Sequence, residues 1–259
     1  MSTRQREEFE TRGLTRFSQC VAPDVVDAFR ARIVDHLAAR GIPHPGPPGQ
    51  AVTPSKVNAV TKQESFRGVW GDDVAAIIDA FLGKGRWHEP GHAGQFLSIT
   101  SPDPESRWRL PHNVWHLDYQ ARPNATQIPG LQLFLYLDQV SPRGGGTRVI
   151  EGSQRLVDRF RSGVSQDGRS ADLRKKLRRA VPWVEALCTL REGEDRVARF
   201  MGQAEEFEGV SLRVSEMTGE PGDVVVMHPW MFHSLSLNCG ERPRMVLTER
   251  IRRNTPPPG

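Results

Sequence analysis

The chain has 259 residues and a mass of 29.0 kDa, enough for one large domain with a substantial core. Hydrophobic residues make up 37% and charged residues 25%, and no apolar run approaches the roughly 18 residues a bilayer span needs, which excludes a helical membrane protein and a disordered chain. Lys and Arg number 35 against 31 Asp and Glu, a net charge of +4, which leaves nucleic acid, an anionic substrate or a solvated basic surface open.

The three cysteines (Cys20, Cys188 and Cys239) are odd in number and far apart, which argues against a disulfide framework. The segment Met1 to Glu8 is polar and lacks the apolar core of a signal peptide, so a cytoplasmic protein is the expectation. The densest basic cluster, Arg174-Lys175-Lys176-Leu177-Arg178-Arg179, reads as helix without the interleaved aromatics that stack on bases. A solvated helix face is expected there, a phosphate- or carboxylate-binding surface is the alternative, and a nucleic-acid partner is disfavoured.

Taken in order, residues 23–40 predict a helix, with Pro23 at its first position and Gly41 at its stop. Val25, Val26, Phe29, Ile33 and Leu37 give it one apolar stripe. A Pro/Gly-rich loop follows from Gly41 to Gly49, and the stretch 41–60 is expected to cover the mouth of a site. A second helix is expected from Asp73 to Leu82, ended by Gly83 and Gly85. From Gly94 the texture becomes β, with strands expected over 95–100, 113–119, 131–138 and 147–150. Leu131, Leu133, Leu135 and Leu137 alternate with Gln132, Phe134, Tyr136 and Asp138, so the leucines should face a core and the others a cavity or solvent.

Residues 154–206 interrupt this pattern with short basic helices at 155–161, 171–180 and 196–201. Strands resume at 211–217, 224–227 and 245–251, and 255–259 reads as a disordered tail. The chain is thus read as one domain over 1–259. N-terminal helices and a loop occupy 1–90, strands 91–153 and 207–253, and a helical insertion 154–206. The fold expected is mainly β with flanking helices around a double-stranded β-helix, of jelly-roll or cupin-like type.

The chemistry-bearing stretch is Trp115-His116-Leu117-Asp118-Tyr119. On a strand, residues two apart leave the same face, so His116 and Asp118 would converge as two thirds of a two-histidine, one-carboxylate iron site. The third ligand must come from a distant strand. His228 and His233, in Met227-His228-Pro229-Trp230-Met231-Phe232-His233, both qualify. Arg242 and Arg244 follow, and a guanidinium at the start of the last strand could hold a carboxylate through two hydrogen bonds. The competing reading of His116 and Asp118 is a hydrogen-bonded structural pair.

With these residues in view the chain resembles the phytanoyl-CoA dioxygenase family of Fe(II)/2-oxoglutarate-dependent oxygenases. The resemblance rests on His116-Leu117-Asp118, on Gly145 to Ser153, and on Gly222-Asp223-Val224-Val225-Val226-Met227-His228 through Arg242-Pro243-Arg244. It implies that His233 rather than His228 completes the ligand set, so that His116, Asp118 and His233 hold Fe(II). It also implies that Arg244, eleven positions past His233, binds the far carboxylate of 2-oxoglutarate, with Phe134 packed on that co-substrate. The chain departs from the family's pattern at Glu151-Gly152-Ser153-Gln154 and at Ser234-Leu235-Ser236, which leaves a helper hydroxyl on the co-substrate carboxylate unassigned. The activity implied is oxidation of a small organic substrate by O₂, with release of succinate and CO₂ and hydroxylation as the plainest outcome, and the basic insertion adds the expectation of an anionic or carrier-linked substrate. The presence of Asp118 favours oxygenation over halide transfer. The rival readings are a non-catalytic metal- or ligand-binding jelly roll, and a metal-dependent isomerase or dioxygenase that uses no 2-oxoglutarate.

Overall fold

The computed structural model describes residues 1–52, 54–165 and 167–254, so the tail expected over 255–259 lies outside the described residues. In chain order come α1 (Thr3–Arg12), β1 (Leu14–Phe17), α2 (Pro23–Ala38), α3 (Pro54–Thr61), α4 (Phe66–Leu82), β2 (Trp87–His88), β3 (Phe96–Thr100), β4 (Gly130–Tyr136) and β5 (Arg148–Glu151). The helices α5 (Ser153–Phe160), α6 (Ser170–Ala180), α7 (Pro182–Leu187) and α8 (Arg196–Met201) follow. The chain closes with β6 (Glu205–Phe207), β7 (Val210–Glu216), β8 (Val224–Met227), β9 (His233–Ser234) and β10 (Arg244–Arg253).

Two antiparallel sheets face each other without closing into a barrel. The larger runs β1-β8-β4-β10-β2, with β3 also paired to β10, and the smaller runs β6-β7-β5-β9. Helices cover both outer faces, giving four layers. The leucine alternation of β4 is what separates them. Leu131, Leu133, Leu135 and Leu137 pack with α2, α3 and α4, while Phe134 and Tyr136 point between the sheets, against Val149 and Met217 of the smaller one. The Val224–Met227 run is apolar throughout because its alternate residues serve these two cores. A third core, under α5 to α8, covers the outside of the smaller sheet.

Local signals place several boundaries. Helix α2 keeps its predicted stripe, with Val26, Phe29, Ile33 and Leu37 buried and Val25 partly so. It ends at Ala38, and the turn that follows is closed by Gly41 N–H on Ala38 O and, after the positive φ of 62° at Gly41, by Ile42 N–H on Leu37 O. Helix α4 starts earlier than periodicity predicts, at Phe66, and breaks at Gly71, where φ is 76°.

Other expectations need correction. The stretch 41–60 is not all loop, since it contains α3, whose Val57 and Val60 are buried in the leucine core. Rather than spreading as a flap, its start is tied to the end of β3: Val52 N–H bonds Ile99 O and Ser101 N–H bonds Gln50 O. The larger sheet recruits β1 and β2 from the region read as helices and loop, and the insertion adds α7. Asp138 leaves the cavity-facing row, because β4 ends at Tyr136 and the carboxylate turns to Arg30 of α2, 3.1 Å away. The segment 113–119 is not a ladder strand. Its one bridge joins His116 to His233.

Candidate functional site

That single bridge determines the geometry of the site. His116 N–H bonds His233 O and His233 N–H bonds His116 O, each at 3.0 Å, which sets the two imidazoles side by side with ring centroids 4.4 Å apart. β9 is only two residues long, so no further ladder bond orders the segment around His116. Side chains of α6 take its place: Ser170 Oγ accepts from Leu117 N–H at 2.8 Å and Arg174 Nη1 donates to Trp115 O at 2.7 Å. The helical insertion thus holds the backbone on both sides of His116.

His116, Asp118 and His233 offer ligand atoms that all lie within 4.8 Å of one another. His116 Nε2 is 3.8 Å from Asp118 Oδ1, and His233 Nε2 is 3.6 Å from Asp118 Oδ2. Each imidazole is oriented by its other nitrogen. His116 Nδ1 lies 3.1 Å from Val114 O and His233 Nδ1 lies 3.1 Å from Met231 O. A carbonyl only accepts, so both Nδ1 atoms carry a proton and both Nε2 atoms are turned toward the carboxylate. Gln132 Nε2 donates to Asp118 Oδ2 at 2.7 Å and fixes that side chain in turn.

Electrostatics suit a cation site. Burial opposes ionisation of Asp118, but the hydrogen bond and charge of His233, with the Gln132 amide, outweigh it and hold the carboxyl well below the usual carboxylate range. Burial and the neighbouring His233 lower the pKa of His116, favouring the neutral, ligating imidazole. The His233 side chain is 7% exposed and that of His116 45%, so the cluster is closed on one side and open on the other.

Arg244 opens β10, and its reach to Thr147 sets its side chain between the two sheets. It is buried, and burial pushes its guanidinium below the usual range. Nη1 donates to Ser98 Oγ at 2.6 Å and Nη2 to Thr147 Oγ1 at 3.4 Å, while Nε has no partner. Among the described residues no carboxylate lies within ion-pair distance of it. Ser98 opposes Val246, so the arginine arm leans along the strand toward Gln132 and the histidines. Phe134 sits between these stations, buried on the inner face of β4 beside Gln132 and Tyr136.

His228 and Arg242 stand apart from the cluster. The His228 ring packs on Phe9 and Trp230, its Nδ1 accepts from Trp230 N–H, and burial pushes its pKa down to about 3. Arg242 is exposed and donates to Gln139. Trp115 is buried in the outer core, and the Tyr119 hydroxyl lies 2.8 Å from the carbonyls of Leu131 and Ile251. The departures at Glu151 and Gln154 join α1 to the smaller sheet: Arg12 grips Glu151 at 2.9 and 3.0 Å, and Gln154 donates to Glu10 O and Thr11 O. Sequence reasoning placed Gln132 on the face opposite the leucines, toward a cavity or solvent, but missed its bond to Asp118. It missed Ser98, Thr147, Ser170 and Arg174 altogether, and of these only Ser98, alternating on its strand, carried a readable signal.

Fold and cluster together define a double-stranded β-helix protein carrying a two-histidine, one-carboxylate set able to hold a metal ion. The chain belongs to the phytanoyl-CoA dioxygenase family, whose sequence model matches residues 9–246, and it is an enzyme of that family. Among solved structures it is similar to the epimerase SnoN in complex with Fe3+, alpha ketoglutarate and nogalamycin RO, at 15% identity and a TM-score of 0.53, covering 96% of this chain and 82% of that one. It is also similar to EctD from S. alaskensis in its apoform, at 14% identity and a TM-score of 0.52 over 97% and 77% of the two chains. HygX from Streptomyces hygroscopicus, with nickel and 2-oxoglutarate bound, gives 14% identity and a TM-score of 0.50 over 97% and 87%. At these identities the likeness speaks for the fold. A comparison with curated proteins gave no match. No described helix is long and apolar enough to cross a membrane.

Proposed function

We propose that the chain is a single-domain, cytoplasmic Fe(II)- and 2-oxoglutarate-dependent dioxygenase that oxidises a small organic substrate, with hydroxylation as the simplest outcome. The observation that carries this reading is Arg244, a buried guanidinium with an unpartnered Nε and no acid within ion-pair distance among the described residues, on the inner face of the larger sheet that also carries Gln132, the partner of Asp118. Burying an unpaired charge costs several kcal/mol. A carboxylate from outside the chain would remove that cost and use the free donor. The SnoN structure, with Fe3+ and alpha ketoglutarate, and the HygX structure, with nickel and 2-oxoglutarate, agree with such a pairing in the same fold.

In this reading His116, Asp118 and His233 hold the iron through Nε2, a carboxylate oxygen and Nε2. Arg244 binds the far carboxylate of 2-oxoglutarate, and Ser98 and Thr147 supply the hydroxyls that the sequence left unassigned. Phe134 packs against the carbon chain between these ends, and apolar residues between the sheets keep water from it. When bound, the iron, 2-oxoglutarate and O₂ supply the oxidising power, with succinate and CO₂ released. The unpaired cysteines Cys20, Cys188 and Cys239 fit a reducing compartment. A non-catalytic jelly roll or a 2-oxoglutarate-independent enzyme has no use for an uncompensated arginine at this place.

The test is anaerobic addition of 2-oxoglutarate to the Fe(II)-loaded protein. A visible charge-transfer band should form, and it should weaken in Arg244→Lys and vanish in Arg244→Ala while both variants still bind Fe(II). The reading fails if the wild type shows no band and forms no succinate with O₂, or if Arg244→Ala binds 2-oxoglutarate as well as wild type does.

A further inference from the structure

The sequence hinted at an anionic substrate through the basic helix α6, but that helix is an unpromising place for one. Its Arg178 is paired with Glu185 at 2.7 Å, Arg174 is spent on Trp115 O, and the hollow beside them contains Glu185. A different basic surface adjoins the metal-ligand cluster. A pocket of about 530 Å³ includes Asp118 in its wall, together with Tyr119, Arg122, Arg250, Arg252 and Arg253. Among the described residues its one lining carboxylate is Asp118, which the proposed function commits to the metal.

Among the described residues none of the four arginines has an acid within ion-pair distance. Arg250 donates to the Gln95 amide oxygen and, at 3.4 Å, to Asp118 O. Arg253 bonds the carbonyls of Leu82 and Ile128, and Arg122 the amide of Gln120. The Arg252 side chain is exposed and makes no hydrogen bond among the described residues. Several other exposed arginines are neutralised, as in Arg67 with Glu89, Arg159 with Glu208 and Arg169 with Asp167.

Register places this charge where chemistry would occur. Arg250 opposes Gln132 across the β4–β10 pair, and Gln132 is the side chain that holds Asp118. Arg244, Arg250 and Arg252 share one face of β10, because they are separated by even numbers of residues. Six positions separate Arg244 from Arg250, roughly 20 Å of strand. One strand face therefore carries two arginine stations: Arg244 deep between the sheets, and Arg250 with Arg252 at the open side of the cluster.

We propose that this pocket is the substrate subsite. Its ligand is a small organic anion carrying a carboxylate, phosphate or sulfate, whose charged group is held by Arg250 and Arg252 so that the carbon to be oxidised lies over the metal. The assignment of the pocket to substrate rests on the oxygenase reading. The preference for an organic anion rests on the arginines alone.

The two are separated by experiment. Phenyl phosphate and benzoate, with phenol and benzamide as neutral counterparts, are titrated calorimetrically into the full chain without added metal. At least one of the two anions should bind about tenfold tighter than its neutral partner, and raised NaCl should erode the difference. Which anion is favoured separates phosphate from carboxylate substrates. Arg252→Glu, at an exposed side chain, should abolish the preference while keeping the Fe(II)·2-oxoglutarate band, and the double variant Arg250→Gln/Arg252→Gln should abolish the preference as well. Lys175→Gln/Arg179→Gln on α6 should leave it unchanged. The proposal is overturned if neither anion binds, if charged and neutral ligands bind equally, or if Arg252→Glu retains the preference. Should the preference hold while wild type forms no 2-oxoglutarate band, the oxygenase reading falls and the anion pocket stands.

Discussion

Replacing Ser170 by Ala and Arg174 by Met removes the two side chains that α6 lends to the backbone around His116, leaving the ligands themselves untouched. Leu117 N–H then loses its 2.8 Å acceptor and Trp115 O its 2.7 Å charged donor, in a segment where Trp115 is 1% exposed and Leu117 8%. An orphaned buried backbone group costs about 1–3 kcal/mol, and a bond to a charged donor about 1.5–3 kcal/mol. The two act on one short segment, so their sum overstates the pair. At about 2–4 °C per kcal/mol for a chain of this size, each single variant should melt several degrees lower. Loosening a segment that carries two ligands should also lower metal affinity by about tenfold to a hundredfold, as loss of outer contacts does at other metal sites. Calorimetric titration with Ni(II), alongside thermal melts, reads both quantities on the same sample. If both variants melt lower yet bind Ni(II) as tightly as wild type, the His116–His233 bridge alone sets the geometry, and α6 only covers it.

Two further outcomes follow from buried polar groups. Gln132→Leu removes the 2.7 Å bond to Asp118 and should weaken Ni(II) binding by about tenfold with little change in fold; unchanged affinity would mean that Asp118 needs no partner. Glu249 sits on the leucine side of β10, 3.4 Å from His92, and burial pushes its pKa from 4.5 up to about 7. Because the folded value is the higher one, its contribution to stability is complete below pH 4.5 and is lost as pH rises through 7. Glu249→Gln should therefore gain little at pH 4.5 and at most about 3 kcal/mol at pH 8, a rise of several degrees in Tm. Equal gains at both pH values would remove the carboxyl's ionisation as the cause.

How far the sequence alone reaches is clearest on β4. Its alternation separated a leucine core from an inner face, and the glycines and prolines around α2 marked that helix's ends, because these signals are local and depend on backbone sterics and periodicity. His116 and Asp118 are legible as residue types two apart, whereas the choice of His233 over His228 and of Arg244 eleven positions beyond it comes from the resemblance to the family. The same local reading erred on 113–119. Strand character belongs to pairing, and the partner there is a two-residue strand more than a hundred positions away. What replaces the ladder, Ser170 and Arg174 of a helix that looked like a solvated basic insertion, follows only from packing. The charge pattern was misleading in the same way. In sequence the basic residues are densest on α6, but the tertiary structure pairs or occupies two of its arginines, Arg178 and Arg174, and gathers Arg122, Arg250, Arg252 and Arg253 from two separate segments beside Asp118. Sequence determines which charges exist, whereas their net effect depends on which neighbours the fold brings within a few ångströms, where Coulomb and desolvation energies are decided.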